Sequence, residues 1–298
     1  MKFLGYIVSK FYCLVVSVWH RCYQWHIFSQ YKCDTPIISI GNIATGGTGK
    51  TPMVIFLSKL LSQHNISHTI ISRGYKKQRS GTVVITKNNL KNILPHQCGD
   101  EPYMIAKKLI EVPVIVDTNK RRAIQYAINK FLPQIILLDD GFQSLNIRRN
   151  LDIVLINSIC KKQDLHLLPF GKLREPLVNI ERANIIIYSK QNLAQSITKQ
   201  FPIKNHVLSN LCSQVPFMES NIVAKVLLYD SSSKELRPLT IDNKKISSVL
   251  CVCGIGDPLS FLHTSKKFFD IGDEVFFPDH YQYSNNDILA LFKRCIQY

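Results

Sequence analysis

The sequence predicts an α/β fold: a mostly parallel sheet flanked by helices, a smaller second α/β domain, and an amphipathic helix at the N-terminus. Three observations predict it. From residue 34 onward, short β-branched runs alternate with helical patterns, as expected of strands buried on both faces by crossover helices. After residue 211 the texture shifts to a hairpin pattern and then restarts with a strand, a glycine turn and a helix. Residues 1–33 contain no Asp or Glu and carry bulky apolar residues at helical spacing.

That N-terminal segment comes first. Leu4, Ile7, Val8, Phe11, Val15, Val18 and Trp19 recur on one helical face, with Lys2, Lys10, Arg21 and Lys32 as cations and Tyr23 and Trp25 closing the stretch. A basic helix with such a face is suited to lying in a bilayer surface, or to packing on the domain core. "VWHRCYQWH" offers no small-residue cleavage site, so a signal peptide is not expected. Lys10 interrupts an apolar run already too short to span a bilayer. The expected division is a membrane-associated helix at 1–33, a nucleotide-binding domain at 34–211, a β-hairpin linker at 212–246 and a smaller α/β domain at 247–298.

In the first domain, strands are expected at "HTIIS", "TVVIT", "VPVIVD", "QIILLDD", "LDIVLIN" and "NIIIYSK", with helices over 52–63, 102–110 and 119–130. Ligands in such sheets gather at the carboxyl ends of the strands. The first apolar run, Ile37 to Ile40, ends in "SIGNIATGGTGKTP". A glycine-rich turn between strand and helix presents backbone N–H groups and a positive dipole end, which suits a polyphosphate. Ala44 stands where a strict P-loop has glycine, and Gly46, Gly47 and Gly49 compensate by letting the backbone approach phosphate. Thr45 to Gly49, including Thr48, would cradle it, Lys50 would reach the β- and γ-phosphates, and the Thr51 hydroxyl would hold Mg²⁺.

Other strand ends carry Arg73-Gly74-Tyr75, Asp117 with "NKRR", and Asp139-Asp140-Gly141. An Asp closing an apolar strand downstream of a P-loop is a Mg²⁺ ligand candidate, so Asp139 and Asp140 join Thr51 as expected metal ligands. Asp100 and Glu101 precede a proline, a pattern of helix N-termini. The second unit is read from "VAKVLLYDSSSKELRPLT", a hairpin with a Ser-rich turn, followed by "SSVLCVCGIGDPLSFLHT".

Composition narrows the function classes. The 298 residues carry 37 Lys and Arg against 21 Asp and Glu, a net +16, which needs an acidic partner. The densest aromatic-basic segment is apolar and N-terminal, so nucleic acid is not the expected partner. Nine scattered cysteines without a CxxC pair fit a reducing compartment.

Taken together, "GNIATGGTGKTP", "SRGY", "GDEP", "DDGFQ", "LLPFGKLREP", "CGIGDP" and "FPDHY", in this order across almost the whole chain, resemble the tetraacyldisaccharide 4′-kinase family of lipid A biosynthesis. The resemblance implies a P-loop NTPase-like fold and transfer of the γ-phosphoryl group of ATP, with Mg²⁺, to the 4′-hydroxyl of a tetraacyldisaccharide 1-phosphate, forming lipid IVA. It implies a peripheral location on the cytoplasmic face of the bacterial inner membrane, with the lipid A precursor and the membrane surface as partners and no obligate protein partner. By the same resemblance Asp100 is the catalytic base and His280 its partner, with Lys50 and Arg174 as catalytic cations. Arg73, Arg121, Gln143 and Glu175 are expected on the substrate side. Family members usually continue through another strand after "FPDHY"; this chain stops at "LFKRCIQY". The alternative is a P-loop switch or partitioning-type NTPase with no small-molecule acceptor.

Overall fold

The computed structural model describes residues 2–197, 205, 207, 215–230, 232, 233, 235–239, 246–279 and 281–296. The chain folds as two compact units, one of residues 1–189 and 200–220, the other of residues 190–199 and 221–298.

The first unit is built on an eight-stranded sheet. Its strands are β1 (Ile37–Asn42), β2 (His68–Ser72), β3 (Val83–Ile85), β4 (Val114–Val116), β5 (Ile135–Asp139), β6 (Leu151–Asn157), β7 (Ile185–Ser189) and β8 (Phe217–Glu219). They lie in the order β3-β4-β2-β5-β1-β6-β7-β8, all parallel except β3, which runs antiparallel to β4. The β-branched runs form strands because both faces are covered: Ile40, Ile70, Val114, Leu137 and Val154 are fully buried. Each such side chain contributes about 1.5–3 kcal/mol of burial.

Helices α2 (Lys50–Gln63), α3 (Pro95–Cys98), α4 (Asp100–Lys108) and α5 (Lys120–Phe131) supply the connections. Val54, Ile105 and Ala106 pack with Ile70 and Leu137 in one cluster, whereas Ala123, Ile124 and Ala127 of α5 pack with Ile71 and Leu138 in another. The chain leaves β1 for one side of the sheet and later returns past it, so that β1 pairs with β5 on one edge and β6 on the other. A reversal of this kind opens a crevice at the strands' carboxyl ends. It places the glycine-rich turn beside the Asp139-Asp140 pair.

The first unit also includes α1 (Lys2–Gln24). Its inner face is polar: Ser9 and His20 are buried, and Ser9 Oγ and Tyr12 OH donate to the carbonyls of Leu167 and Arg174 at 2.9 and 2.8 Å. Its outer face is apolar, with Ile7, Phe11, Leu14, Val15, Val18 and Trp19 all exposed.

The second unit contains α6 (Gln191–Ile197), an antiparallel hairpin of β9 (Leu227–Asp230) and β10 (Glu235–Pro238), and a parallel pair of β11 (Ile246–Cys253) and β12 (Phe269–Phe276). Helices α7 (Pro258–Ser265) and α8 (Asn285–Ile296) accompany that pair. Asp257 caps α7 through Ser260 N–H at 3.2 Å, and its carboxylate pairs with the buried Lys190.

Candidate active site

The turn after β1 takes its shape from glycine. Gly46 and Gly49 sit at φ 103° and 87°, left-handed values that side chains with a Cβ rarely adopt. Asn42 braces the turn from within, its Nδ2 donating to the Ala44 carbonyl at 2.6 Å and to Thr48 Oγ1 at 2.9 Å. Ser189 Oγ donates to the Thr48 carbonyl at 2.8 Å. Thr48 is accordingly buried, while Gly46 and Gly47 face solvent and Lys50 and Thr51 open α2. Ala44 pairs with Leu173 in an isolated antiparallel bridge, and the Thr45 N–H donates to the Lys172 carbonyl at 2.8 Å. The Thr45 amide is thereby already engaged within the protein.

Charged groups converge on Asp140. Lys50 Nζ lies 3.7 Å from Asp140 Oδ1, and Arg174 Nη1 donates to Oδ2 and Oδ1 at 2.9 and 3.1 Å. Burial alone would raise the Asp140 carboxyl, but Lys50, Arg174 and Lys120 outweigh it and hold it below the usual carboxylate range. Asp140 itself stands at φ 50°. A side chain on the next residue, Gly141, would place its Cβ 2.5 Å from Ser39 Oγ, so the turn requires glycine there.

Sequence reasoning misses Lys120. It occupies the buried face of α5 with Ala123, Ile124 and Ala127. Its Nζ donates to the Asp140 carbonyl at 2.5 Å and to Ser144 Oγ at 3.0 Å. Burial pushes its ammonium down to about 8 against the pull of Asp140 and Asp139. The helical phase of Lys120 with those three apolar residues is the available signal. Its neighbour Arg121, expected on the substrate side, stacks its guanidinium 5.0 Å from the Tyr31 ring centre.

Asp139 is buried, with Oδ2 accepting from Ser72 Oγ at 2.8 Å and Oδ1 lacking any protein hydrogen-bond partner. Burial first, then the charges of Glu101 and Asp140, push its carboxyl up to about 6. A buried carboxylate oxygen without a partner, on the strand beside the one that leads to Thr51, fits a hard cation bound through oxygen. Among the described residues there is no cluster of three metal-ligating side chains. One or two carboxylates plus substrate phosphates is the usual Mg²⁺ arrangement.

Gln143 and Glu175 prove to be linked. Gln143 Nε2 donates to Glu175 Oε1 and to the Asn42 carbonyl, both at 2.7 Å. Glu175, expected to face substrate, is instead only 1% exposed. Its Oε2 receives Arg182 Nη2 at 2.5 Å and Asn179 Nδ2 at 3.0 Å, with His20 Nε2 at 3.3 Å. Arg182 also lies 4.1 Å from the Phe142 ring centre.

The loop bearing Asp100 is fixed by two close-packed glycines. A Cβ on Gly74, at φ 70°, would meet Val116 Cγ1 at 2.3 Å and the Cys98 carbonyl at 2.7 Å; one on Gly99, at φ 96°, would meet the Tyr75 carbonyl at 3.0 Å. The "SRGY" turn after β2 and the "CGDEP" start of α4 therefore abut. Arg73 and Asp100 are both exposed there, and Asp100 is the first residue of α4, where a carboxylate suits the dipole. Asp117, by contrast, is wholly buried and tied by Arg122 Nε and Nη2 at 2.8 Å each, so it anchors the start of α5. His280 lies outside the described residues.

The family model for tetraacyldisaccharide-1-P 4′-kinase (LpxK) matches residues 1–297. A relative named tetraacyldisaccharide 4′-kinase from Halothermothrix orenii is 34% identical over 296 residues, covering 96% of this chain and 76% of its own length. One of the same name from Desulfotalea psychrophila is 32% identical over 296 residues, covering 97% and 82%. Among solved structures, an "apo" form of LpxK from Aquifex aeolicus in complex with ATP matches with a TM-score of 0.71 at 30% identity, covering 93% of this chain and 82% of that one.

Proposed function

The chain belongs to the tetraacyldisaccharide-1-P 4′-kinase family, and from that premise we propose how its own residues carry the activity. It is a lipid A 4′-kinase: it uses ATP to phosphorylate the 4′-hydroxyl of tetraacyldisaccharide 1-phosphate. The switch-type NTPase reading falls away.

The convergence of Lys50, Asp140 and Arg174 at the mouth of the glycine-rich turn carries the assignment of roles. Phosphoryl transfer is mostly positioning and charge neutralisation. In our reading Gly46 to Gly49 and the first turn of α2 receive the phosphates, and Lys50 and Arg174 hold the transferring group. Asp139, Asp140 and Thr51 would hold Mg²⁺, which when bound neutralises charge on the β- and γ-phosphates. Lys120 fixes the Asp140 backbone and Glu175 fixes Gln143. Asp100 takes the proton of the 4′-hydroxyl as its oxygen bonds to the γ-phosphorus and the bond to ADP breaks; the family resemblance assigns His280 a part in the same step. Arg73 contacts the anionic acceptor; Arg121, stacked on Tyr31, remains a candidate for its edge.

The membrane assignment rests on α1. No helix among the described residues is long and apolar enough to cross a bilayer. An outer face that exposes Phe11, Leu14 and Trp19, on a chain of net +16, suits a peripheral position on an anionic leaflet. We place the protein there, on the cytoplasmic face of the inner membrane, acting without an obligate protein partner.

The test is incubation with γ-labelled ATP, Mg²⁺ and tetraacyldisaccharide 1-phosphate in detergent micelles. Wild type should label the lipid, and Asp100→Ala should bind ATP normally yet turn over far more slowly. Normal turnover by Asp100→Ala would remove that residue from the base role.

A further inference from the structure

We propose that Tyr12, on the inner face of α1, is a positioning residue of the kinase site that acts through Arg174. The inference rests on the reading of Arg174 given above. It begins with the strap of residues 164–176, which runs from Asp164 to Pro176. This strap closes on itself through Leu173 N–H to His166 O at 2.9 Å, Leu168 N–H to Leu173 O at 2.9 Å and Lys172 N–H to Asp164 O at 3.0 Å. Gly171 permits the closure, since a Cβ there would lie 2.2 Å from the His166 carbonyl oxygen.

Arg174 is the point at which three structures meet. Its N–H donates to the Ile43 carbonyl at 2.7 Å, which fixes it to the glycine-rich turn. Its guanidinium holds Asp140. Its carbonyl accepts from Tyr12 OH at 2.8 Å. A guanidinium at the end of a flexible chain is only as well placed as its backbone, and small misplacements near a reacting phosphate are costly. Tyr12 supplies the contact on the side away from the turn. At the next residue of the strap, His20 meets the Glu175 carboxylate at 3.3 Å, so the same helix face seats both residues of the "RE" pair.

Two other contacts between α1 and the strap fall at residues other than Arg174. Ser9 Oγ donates to Leu167 O at 2.9 Å, and Tyr6 packs edge-on against Phe170. They provide the control, because losing one loosens the helix seat without releasing the Arg174 carbonyl.

The experiment measures kcat and both KM values for wild type, Tyr12→Phe, Ser9→Ala, Arg174→Gln and Tyr12→Phe/Arg174→Gln, with thermal midpoints alongside. Tyr12→Phe should lower kcat by about two- to tenfold, the range of one neutral hydrogen bond, with the lipid KM unchanged. Ser9→Ala should leave kcat at wild type. The Tyr12→Phe effect should vanish in the Arg174→Gln background, the mark of coupled residues. Wild-type kcat in Tyr12→Phe, an equal loss in Ser9→Ala, or an undiminished Tyr12 effect without Arg174 would each overturn the proposal. Wild-type kcat in Arg174→Gln would instead overturn the site reading on which it depends.

Discussion

Replacing Glu175 with alanine should destabilise the first unit more than any single change at the open part of the site. The carboxylate is 1% exposed and receives Gln143, Asn179 and Arg182 at 2.7, 3.0 and 2.5 Å. Removing it leaves Arg182 as a mostly buried cation, since burial already pulls that guanidinium down and Glu175 is the main group that opposes it, with Asp152 a lesser one. Breaking one partner of a buried pair costs about 3–5 kcal/mol. Glu175→Gln keeps shape and acceptor but loses charge, so about 1.5–3 kcal/mol is expected, the range for hydrogen bonds to charged groups. Both tryptophans, Trp19 and Trp25, belong to the first unit, so tryptophan fluorescence in urea follows that unit alone. The midpoint should fall at unchanged slope. Arg182→Met in the Glu175→Ala background should recover part of the loss by removing the orphaned charge. A Glu175→Ala variant within about 1 kcal/mol of wild type would refute the assignment of Glu175 as the network's anchor.

Three other outcomes are expected. Gly74→Ala, which forces a Cβ against Val116 and Cys98 at positive φ, should cost about 2 kcal/mol or more, read as a lower urea midpoint. Burial depresses His68 below its usual range, and its ring nitrogens meet Ser58 Oγ at 2.7 Å and the Ile66 carbonyl at 2.9 Å. Its stabilising contribution is therefore full above the unfolded value near 6.5 and is lost as pH falls through that value toward the lowered folded one. Urea midpoints between pH 7 and 5 should fall less steeply in His68→Gln than in wild type. Phe11→Ser/Leu14→Ser removes two exposed side chains from the outer face of α1; at about 2 kcal/mol together, vesicle partitioning should drop roughly 30-fold with kcat on micellar substrate retained.

The sheet was legible because its strands are continuous β-branched runs, a pattern that only burial on both faces explains, and the glycine turn and Asp139-Asp140 were legible because each follows such a run. Lys120 was not, because a lysine beside "RR" reads as part of a solvated cluster. What buries it is the phase of α5 against β2 and β5, a tertiary fact. The burial of Glu175 is not legible for a related reason: "KLREP" gives neighbours in sequence, whereas its partners Gln143, Arg182 and His20 arrive from three other segments. The apolar face of α1 was found from spacing alone. Its polar inner face could not be interpreted without the strap it grips.

The charge pattern at the turn fits the polyphosphate of the proposed reading. Lys50, Arg174 and Lys120 surround one low-pKa carboxylate, Asp140, and one raised carboxyl, Asp139. Lys50 meets Asp140 at 3.7 Å, longer than the 2.7–2.9 Å of a strong charge-assisted hydrogen bond, so a phosphate oxygen can compete for that ammonium at little cost. Arg174, held at 2.9 Å and fixed by its own backbone, is harder to draw away. In the proposed reading, Lys50 would be the cation free to follow the nucleotide, and Arg174 the one against which the transferring group is aligned. That division matches where their backbones sit: Lys50 begins a helix behind a glycine, whereas Arg174 is tied through both its N–H and its carbonyl to other segments of the fold.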